Sequence, residues 1–170
     1  LKYAWERRIK VIPEFDTPGH SRAAIKAMEA YARRTGDSSY LLSEPEDESK
    51  YMSVQNYRDN ALNVALPSTY RFIEVVFDEL IAYHKEAGVP LPAIHIGGDE
   101  VPGGAWIDSP SCQKVMKERG WDNIELLKSY YIENVLNIAE ARGVKISGWQ
   151  ELVMDLEDHV YERLKKNLYS

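Results

Sequence analysis

Short apolar runs alternate along this chain with longer segments in which apolar residues recur every three or four positions. Three short runs favour β-strands: residues 9–15 (IKVIPEF), 93–96 (AIHI) and 144–147 (VKIS). Pro13 counts against a central position for the first of them, because proline has no N–H to donate to a strand ladder. Polar or turn-forming residues follow each run, so the pattern predicts three short strands that end in loops.

Helical spacing marks four segments, each of which begins at a capping residue or a proline and ends at a glycine. They are residues 21–36, 67–88, 109–120 and 122–143. Residues 152–170 are weakly helical. Residues 37–66 differ, because they are polar, are acidic around Glu44 to Glu48 and lack periodicity. A connection of that length in a compact domain is usually functional or mobile.

The predicted order of elements is β, α, β, α, β, α. Parallel strands joined by right-handed helical crossovers form either an open sheet or a barrel, and in both the chemistry lies at the carboxyl ends of the strands. Three strands cannot close a barrel of eight, and the chain does not begin with Met. We therefore expect residues 1–170 to be one partial α/β domain, with no second domain.

Titratable and aromatic side chains cluster at the predicted strand ends. They are Glu14, Asp16 and His20 at the first, His95, Asp99 and Glu100 at the second, and Trp149 and Glu151 at the third. Paired carboxylates suit glycosidic cleavage, in which one acid protonates the leaving oxygen while another group stabilises positive charge at the sugar carbon. The faces of Trp106 and Trp149 suit a pyranose ring. Gly97 and Gly98 allow the turn, and we expect them to leave room for a ligand.

Composition narrows the choice of partners. The net charge is −6 and no basic run is present, which argues against nucleic acid. No segment approaches the roughly 20 consecutive apolar residues of a membrane-spanning helix. Cys112 is the single cysteine, so the chain cannot form an internal disulfide. We expect its thiol to be inert, because no base lies near it in the sequence.

Three motifs carry a resemblance to a known family. The strings VIPEFDTPGHS at 11–21, HIGGDEV at 95–101 and GWQE at 148–151 resemble glycoside hydrolase family 20, the β-N-acetylhexosaminidases. The resemblance implies a (β/α)8 TIM barrel, of which this chain supplies about strands 3 to 5 with their helices. It also implies retaining hydrolysis of terminal β-linked GlcNAc or GalNAc, no cofactor, and a secreted, periplasmic or lysosomal setting.

The resemblance implies a mechanism in which the sugar's own 2-acetamido oxygen attacks the anomeric carbon and forms an oxazolinium intermediate. Glu100 would be the general acid and then the general base. Asp99 would accept the acetamido N–H, and His20 would support the acid/base residue. The residues expected to bind the substrate are Asp16, His95, Trp106, Trp149 and Glu151.

Other interpretations of these residues stay open. His95 alternates with two isoleucines and equally suits a buried structural role. Glu14 and Glu151 equally suit the role of orienting a neighbour or closing a salt bridge. A metal-dependent barrel hydrolase would use His20, His95, Asp16, Asp99 and Glu100 as ligands, although no pair has His-x-His or HExxH spacing.

A third interpretation is a non-catalytic carbohydrate-binding fragment. The resemblance implies that pocket residues from early and late strands lie outside this segment, so the segment alone is expected to be inactive. Unpaired strand edges in a partial barrel also predict self-association of the isolated chain.

Overall fold

A computed structural model describes residues 1–169 and contains one parallel sheet of three strands in the order β1-β2-β3. Strand β1 is Glu14–Thr17, β2 is Ile94–Gly97 and β3 is Ile146–Ser147. Glu14 pairs with His95, and His95 pairs with Ser147, so equivalent positions lie in one row across the sheet. Because the strands are parallel, their carboxyl ends meet at one edge.

One short helix precedes the first strand, and the other helices connect the strands or follow the last of them. They are α1 (Lys2–Trp5), α2 (Arg22–Thr35), α3 (Pro67–Ala87), α4 (Pro110–Arg119), α5 (Leu126–Ala141), a 3₁₀ helix (Gln150–Val153) and α6 (Asp158–Asn167). The predicted ends of α2, α3 and α4 are confirmed by Gly36, Gly88 and Gly120, each in the left-handed conformation just after its helix. The predicted order of alternating strands and helices is therefore present.

Two predicted element starts differ from the structure by more than two residues. The first strand begins at Glu14 rather than Ile9, because α1 and the turn that follows it occupy the chain up to Ile9, whose amide bonds back to Ala4. Helix α5 begins at Leu126 rather than at Asp122 or Asn123. There the Asn123 Oδ1 accepts the Glu125 amide at 3.0 Å, which makes a side-chain turn in place of a first helical turn.

The main core lies between the sheet and helices α3 and α5. Ile94, Ile96 and Ile146 from the strands pack with Phe77 of α3 and Tyr131 of α5, all of them buried. The Tyr131 hydroxyl donates to Thr17 Oγ1 at 2.5 Å, which ties α5 to the end of β1. None of the helices in residues 1–169 is long and apolar enough to cross a membrane.

Residues 37–66 form no helix or strand but are packed against the domain. Leu42 and Leu62 are buried against Ile25 of α2. The Tyr51 hydroxyl accepts the Asn60 and Ala61 amides at 3.0 and 3.1 Å. This long connection therefore has a defined path, which passes the carboxyl ends of the strands.

The chain also reaches a fourth strand position that the sequence pattern did not predict. After α6, Leu168 makes a parallel bridge with Ile146, and the Tyr169 amide donates to the Ile146 carbonyl at 2.8 Å. The outer edge of β3 is thereby partly covered.

Candidate active site

His20 lies among three carboxylates at the carboxyl ends of β1 and β2. Its Nε2 is 3.4 Å from Glu100 Oε2, 3.5 Å from Asp99 Oδ2 and 4.0 Å from Asp16 Oδ2. The structure thus brings together four of the predicted site residues. An imidazole in this position interacts electrostatically with all three carboxylates, and Glu100 and Asp99 are the nearer two.

The two turns that carry these side chains have unusual backbones. His20 has φ +48° and Glu100 has φ +47°, a left-handed conformation that side-chain-bearing residues seldom adopt. The turns also touch through their main chains: a Cβ added at Gly19 would lie 3.1 Å from the Asp99 carbonyl oxygen and 3.5 Å from that of Glu100. Strained backbone of this kind is concentrated at functional sites.

Gly97 makes room for protein rather than for a ligand, which corrects our expectation. A Cβ at this position would lie 1.7 Å from Asp16 Oδ1, so the Asp16 carboxylate occupies the space that the glycine leaves. Gly97 therefore allows β1 and β2 to bring Asp16 next to Asp99.

The Asp16 carboxyl group has a raised affinity for a proton. Burial is the largest cause and the nearby charge of Asp99 is the second, and together they raise the pKa of Asp16 to about 6. The His20 charge and a hydrogen bond from the Gly98 backbone act in the opposite direction. Within residues 1–169, the buried Oδ1 atoms of both Asp16 and Asp99 lack a hydrogen-bond partner.

A second group, made of Glu14, His95 and Trp149, lies beside this cluster. Glu14 Oε1 is 3.1 Å from His95 Nδ1 and accepts the Trp149 indole N–H at 3.0 Å. The rings of His95 and Trp149 meet edge to face, with centroids 5.0 Å apart. Trp149 remains 49% exposed, so its indole is held in place and still accessible.

Two predicted substrate contacts lie elsewhere. Trp106 is only 6% exposed, packs in the main core and donates its indole N–H to the Leu62 carbonyl at 2.8 Å. Its burial gives no support to direct substrate contact. Glu151 is exposed on the 3₁₀ helix, and the bond that Lys128 makes to it involves the Glu151 main-chain carbonyl. Neither residue belongs to the cluster around His20.

Cys112 is buried in α4, and burial raises the pKa of its thiol to about 11. A thiol with so high a pKa is a poor nucleophile at neutral pH. The prediction that it is inert is in accord with this environment.

Comparison with known proteins decides the family. Residues 1–168 match the family model described as glycosyl hydrolase family 20, catalytic domain. The chain belongs to glycoside hydrolase family 20. A β-hexosaminidase of Vibrio vulnificus is 43% identical over 160 residues, which cover 89% of this chain and 19% of that protein. The β-hexosaminidase B of Pseudoalteromonas piscicida is 38% identical over 163 residues, which cover 92% of this chain and 21% of that protein.

A solved structure supports the same assignment. The family 20 exo-β-N-acetylglucosaminidase from Vibrio harveyi, crystallised with N-acetylglucosamine, is 38% identical with a TM-score of 0.77, covering 89% of this chain and 21% of that one. The predicted fold class is confirmed: the family 20 catalytic domain is a TIM barrel, and this chain is a partial segment of it. The chain spans about a fifth of the length of these relatives.

The strand-end pattern does not predict two contacts of the site in this family 20 segment. It places Glu14 at a strand end, but it does not predict that Glu14 contacts both His95 and Trp149. Its spacing from Asp16 places both on one face of β1, which is the signal that was available. Gln55 was missed entirely, although its Nε2 donates to Glu100 Oε2 at 2.6 Å. No local signal marks it, because 45 residues separate the two partners.

Proposed function

We propose that the protein carrying this segment is a retaining exo-β-N-acetylhexosaminidase that removes terminal β-linked GlcNAc or GalNAc from oligosaccharides or glycoconjugates. The observation that carries the proposal is the adjacent pair Asp99 and Glu100 at the end of β2, with His20 within 3.5 Å of both, in a family 20 chain. The related proteins named above are β-hexosaminidases, which favours the same activity here.

Glu100 is the proposed general acid and base. Its side chain is 37% exposed, the most accessible of the three carboxylates around His20, so a leaving oxygen can approach it. The protonated carboxyl would donate its proton to that oxygen as the glycosidic bond breaks. The carboxylate would then take a proton from the water that opens the oxazolinium intermediate.

Asp99 is the proposed partner of the substrate's acetamido group. It is more enclosed than Glu100, with 21% of its side chain exposed, and its buried Oδ1 has no hydrogen-bond partner in the described chain. A buried carboxylate oxygen without a donor is costly, and an amide N–H from the substrate would satisfy it. That bond would orient the acetamido oxygen and stabilise the charge that develops on it.

His20 is proposed to position the two acids, with Asp16 behind it. Trp149 and His95 are proposed to contact the sugar ring or its acetamido group, since the half-exposed indole offers a flat apolar face. The core position of Trp106 and the separate position of Glu151 lead us to leave both out of the proposed pocket.

A divalent-metal site is the second candidate. Asp16, His20 and Asp99 each offer a ligand atom, and these atoms lie within 4.8 Å of one another. Glu100 and His95, which the metal interpretation also required, are not part of that group. The substrate-assisted mechanism needs no metal, so chelation distinguishes the two candidates.

The test is hydrolysis of an aryl β-N-acetylglucosaminide by the full-length protein, with and without excess EDTA. We expect turnover to survive EDTA and to be absent on the matching β-glucoside, which lacks the acetamido nucleophile. Asp99→Asn and Glu100→Gln should each lower kcat by about a hundredfold or more. Loss of activity in EDTA, with recovery on adding a divalent ion, would instead support the metal site. No turnover by the folded full-length protein would leave a carbohydrate-binding role. Turnover that is indifferent to both substitutions would contradict the roles proposed for Asp99 and Glu100.

A further inference from the structure

The long connection between α2 and α3 places a glutamine on the proposed acid/base residue. Gln55 Nε2 donates to Glu100 Oε2 at 2.6 Å, while His20 Nε2 approaches the same oxygen at 3.4 Å. Both nitrogens therefore meet Oε2, and Oε1 receives no hydrogen bond from residues 1–169. The two carboxylate oxygens of Glu100 therefore have different surroundings, since only Oε2 lies next to these nitrogens.

Gln55 is held in this position by a tight turn. The Ser53 amide donates to the Tyr57 carbonyl at 2.8 Å, and the Tyr57 amide donates to the Ser53 hydroxyl at 3.1 Å. Asn56 takes a left-handed φ of +63° between them. Ser53 itself is only 4% exposed. The turn is thus anchored by the hydrogen bonds between Ser53 and Tyr57. The Gln55 side chain is exposed, and among residues 1–169 its sole hydrogen-bond partner is Glu100.

The loop that carries Gln55 is also bound to α2, the helix that follows His20. Asp59 accepts from Arg22 Nε at 2.8 Å and lies 2.9 Å from Lys26 Nζ, so two residues of α2 hold it. His20 directly precedes the start of α2. These ion pairs therefore help to fix the positions of Gln55 Nε2 and His20 Nε2 relative to each other.

We propose that Gln55 is a positioning residue for acid/base catalysis: it anchors Glu100 by Oε2 so that Oε1 faces the glycosidic oxygen. This inference rests on the proposed hexosaminidase function. The proton is carried on Oε1, passes to the leaving oxygen as the glycosidic bond breaks, and is replaced on Oε1 from the attacking water.

An amide suits this task better than a charged side chain. A lysine would also bind the carboxylate, but its fixed positive charge would favour the ionised form and oppose proton donation. A neutral amide supplies a directional bond without that charge. The position therefore calls for a neutral donor of this length.

The experiment measures kcat/KM of the full-length protein on two substrates whose leaving groups differ in their need for a proton. N,N'-diacetylchitobiose has a sugar hydroxyl as its leaving group and needs a proton, whereas a 2,4-dinitrophenyl β-N-acetylglucosaminide does not. Gln55→Met keeps the chain length and removes the donor. We expect kcat/KM to fall about tenfold on the disaccharide, through kcat, and less than about twofold on the dinitrophenyl substrate. Gln55→Lys should show a larger loss on the disaccharide alone.

Gln113→Met is the matched control. Gln113 is also exposed, and its Nε2 also donates at 2.6 Å, but to the Ile107 carbonyl outside the cluster. It should leave both substrates unaffected. Equal losses on both substrates for Gln55→Met, or no loss on either, would overturn the proposal while wild-type activity stands. A wild-type protein inactive on both substrates would overturn the hexosaminidase function, and this inference with it.

Discussion

At the scale of single residues, the main feature of the site is the crowding of negative charge around one imidazole. Asp16, Asp99 and Glu100 all lie within 4.0 Å of His20 Nε2. Neighbouring carboxylates repel one another, so ionising all three costs free energy. The raised pKa of Asp16 shows that part of this free energy opposes the ionisation of Asp16. Separate proton affinities in one cluster allow neighbouring carboxyl groups to take different roles.

The stability of an Asp16→Asn variant tests whether the proton affinity of Asp16 is raised in the folded protein. The folded-state pKa of Asp16, about 6, lies above the reference value of 3.8, so the folded protein binds this proton more tightly than the unfolded chain. Its contribution to stability is therefore complete below about pH 4 and is lost as the pH rises to about 6. The variant should be more stable than wild type at pH 8, by about 1–2 kcal/mol after allowing for partial exposure, and not at pH 4.

Thermal midpoints of the full-length protein at pH 4 and pH 8 provide the measurement. Asp122→Asn is the control, since Asp122 is exposed and lies outside the cluster. If the thermal midpoints of wild type and variant differ by the same amount at both pH values, the raised pKa of Asp16 is contradicted.

Glu14 offers a second test at this scale, because it holds both His95 and Trp149. Glu14→Leu removes the acceptor for the indole N–H and should raise KM for the aryl substrate by about tenfold, as the indole loses its fixed orientation. Glu14→Gln keeps an oxygen acceptor and should have a much smaller effect. Steady-state kinetics on both variants would show this, and equal KM values for the two would count against an orienting role.

The residues of the site were predictable from the sequence to the extent that they sit in strand-end motifs. His20, Asp99 and Glu100 each lie within three residues of the end of a strand, and parallel strands bring such positions together. Gln55 could not be found in this way, because its contact depends on the path of a loop without periodicity. The family resemblance and the flat aromatic face of Trp106 predict a place in the pocket. The structure packs this ring in the main core instead, where burial of its apolar surface is favourable.

At the scale of elements, the connection of residues 37–66 links the site to a helix that takes no direct part in it. Glu44 lies at the start of α4 and accepts from Ser109 Oγ at 2.6 Å, from Ser111 Oγ at 2.8 Å and from the Ser111 amide. Burial alone would raise the pKa of Glu44, but the hydrogen bonds from Ser109, Ser111 and Asn63 together lower it. The loop and the helix terminus thus stabilise each other.

Glu44→Ala should therefore destabilise the protein by about 1–2 kcal/mol at neutral pH. Since the pKa of Glu44 is lowered on folding, its contribution is present above the unfolded value and lost as the pH falls through the folded one. The difference from wild type should accordingly shrink in acid. Melting temperatures at pH 7 and pH 3.5 test this, with Glu46→Ala at an exposed neighbouring position as the control. A deficit that persists unchanged at pH 3.5 would show that the carboxylate is not its source.

The elements themselves were largely predictable because their signals are local. Gly36, Gly88 and Gly120 end helices where the pattern places them. The start of β1 was not predictable, because an apolar run with an interior proline can form either a strand or a packed loop. The fourth strand position at Leu168 was also missed, because a single parallel bridge has no periodicity to detect.

At the scale of the whole molecule, three strands of a barrel leave sheet edges that the complete barrel would pair. β1 lies at one edge of the sheet, and within residues 1–169 the outer side of β3 is covered only by Leu168 and Tyr169. Ile9 and Ile12, just before β1, are 56% and 39% exposed. Unpaired edges and exposed apolar side chains together favour association.

We therefore predict that residues 1–170 expressed alone self-associate or melt without cooperativity, whereas the full-length protein does neither. Sedimentation velocity and calorimetry on both proteins at equal concentration test this. A sharp monomer boundary with cooperative melting of the short chain would contradict it.

The closeness of Gly19 to the carbonyl oxygens of Asp99 and Glu100 has a consequence for how the cluster around His20 tolerates substitution. The spacing of the two turns depends on backbone atoms as well as on the side chains that they carry. One added methyl group at Gly19 would force the two turns apart by a few tenths of an ångström. It would thereby disturb the spacing of the acids from His20, although every side chain of the cluster would still be present.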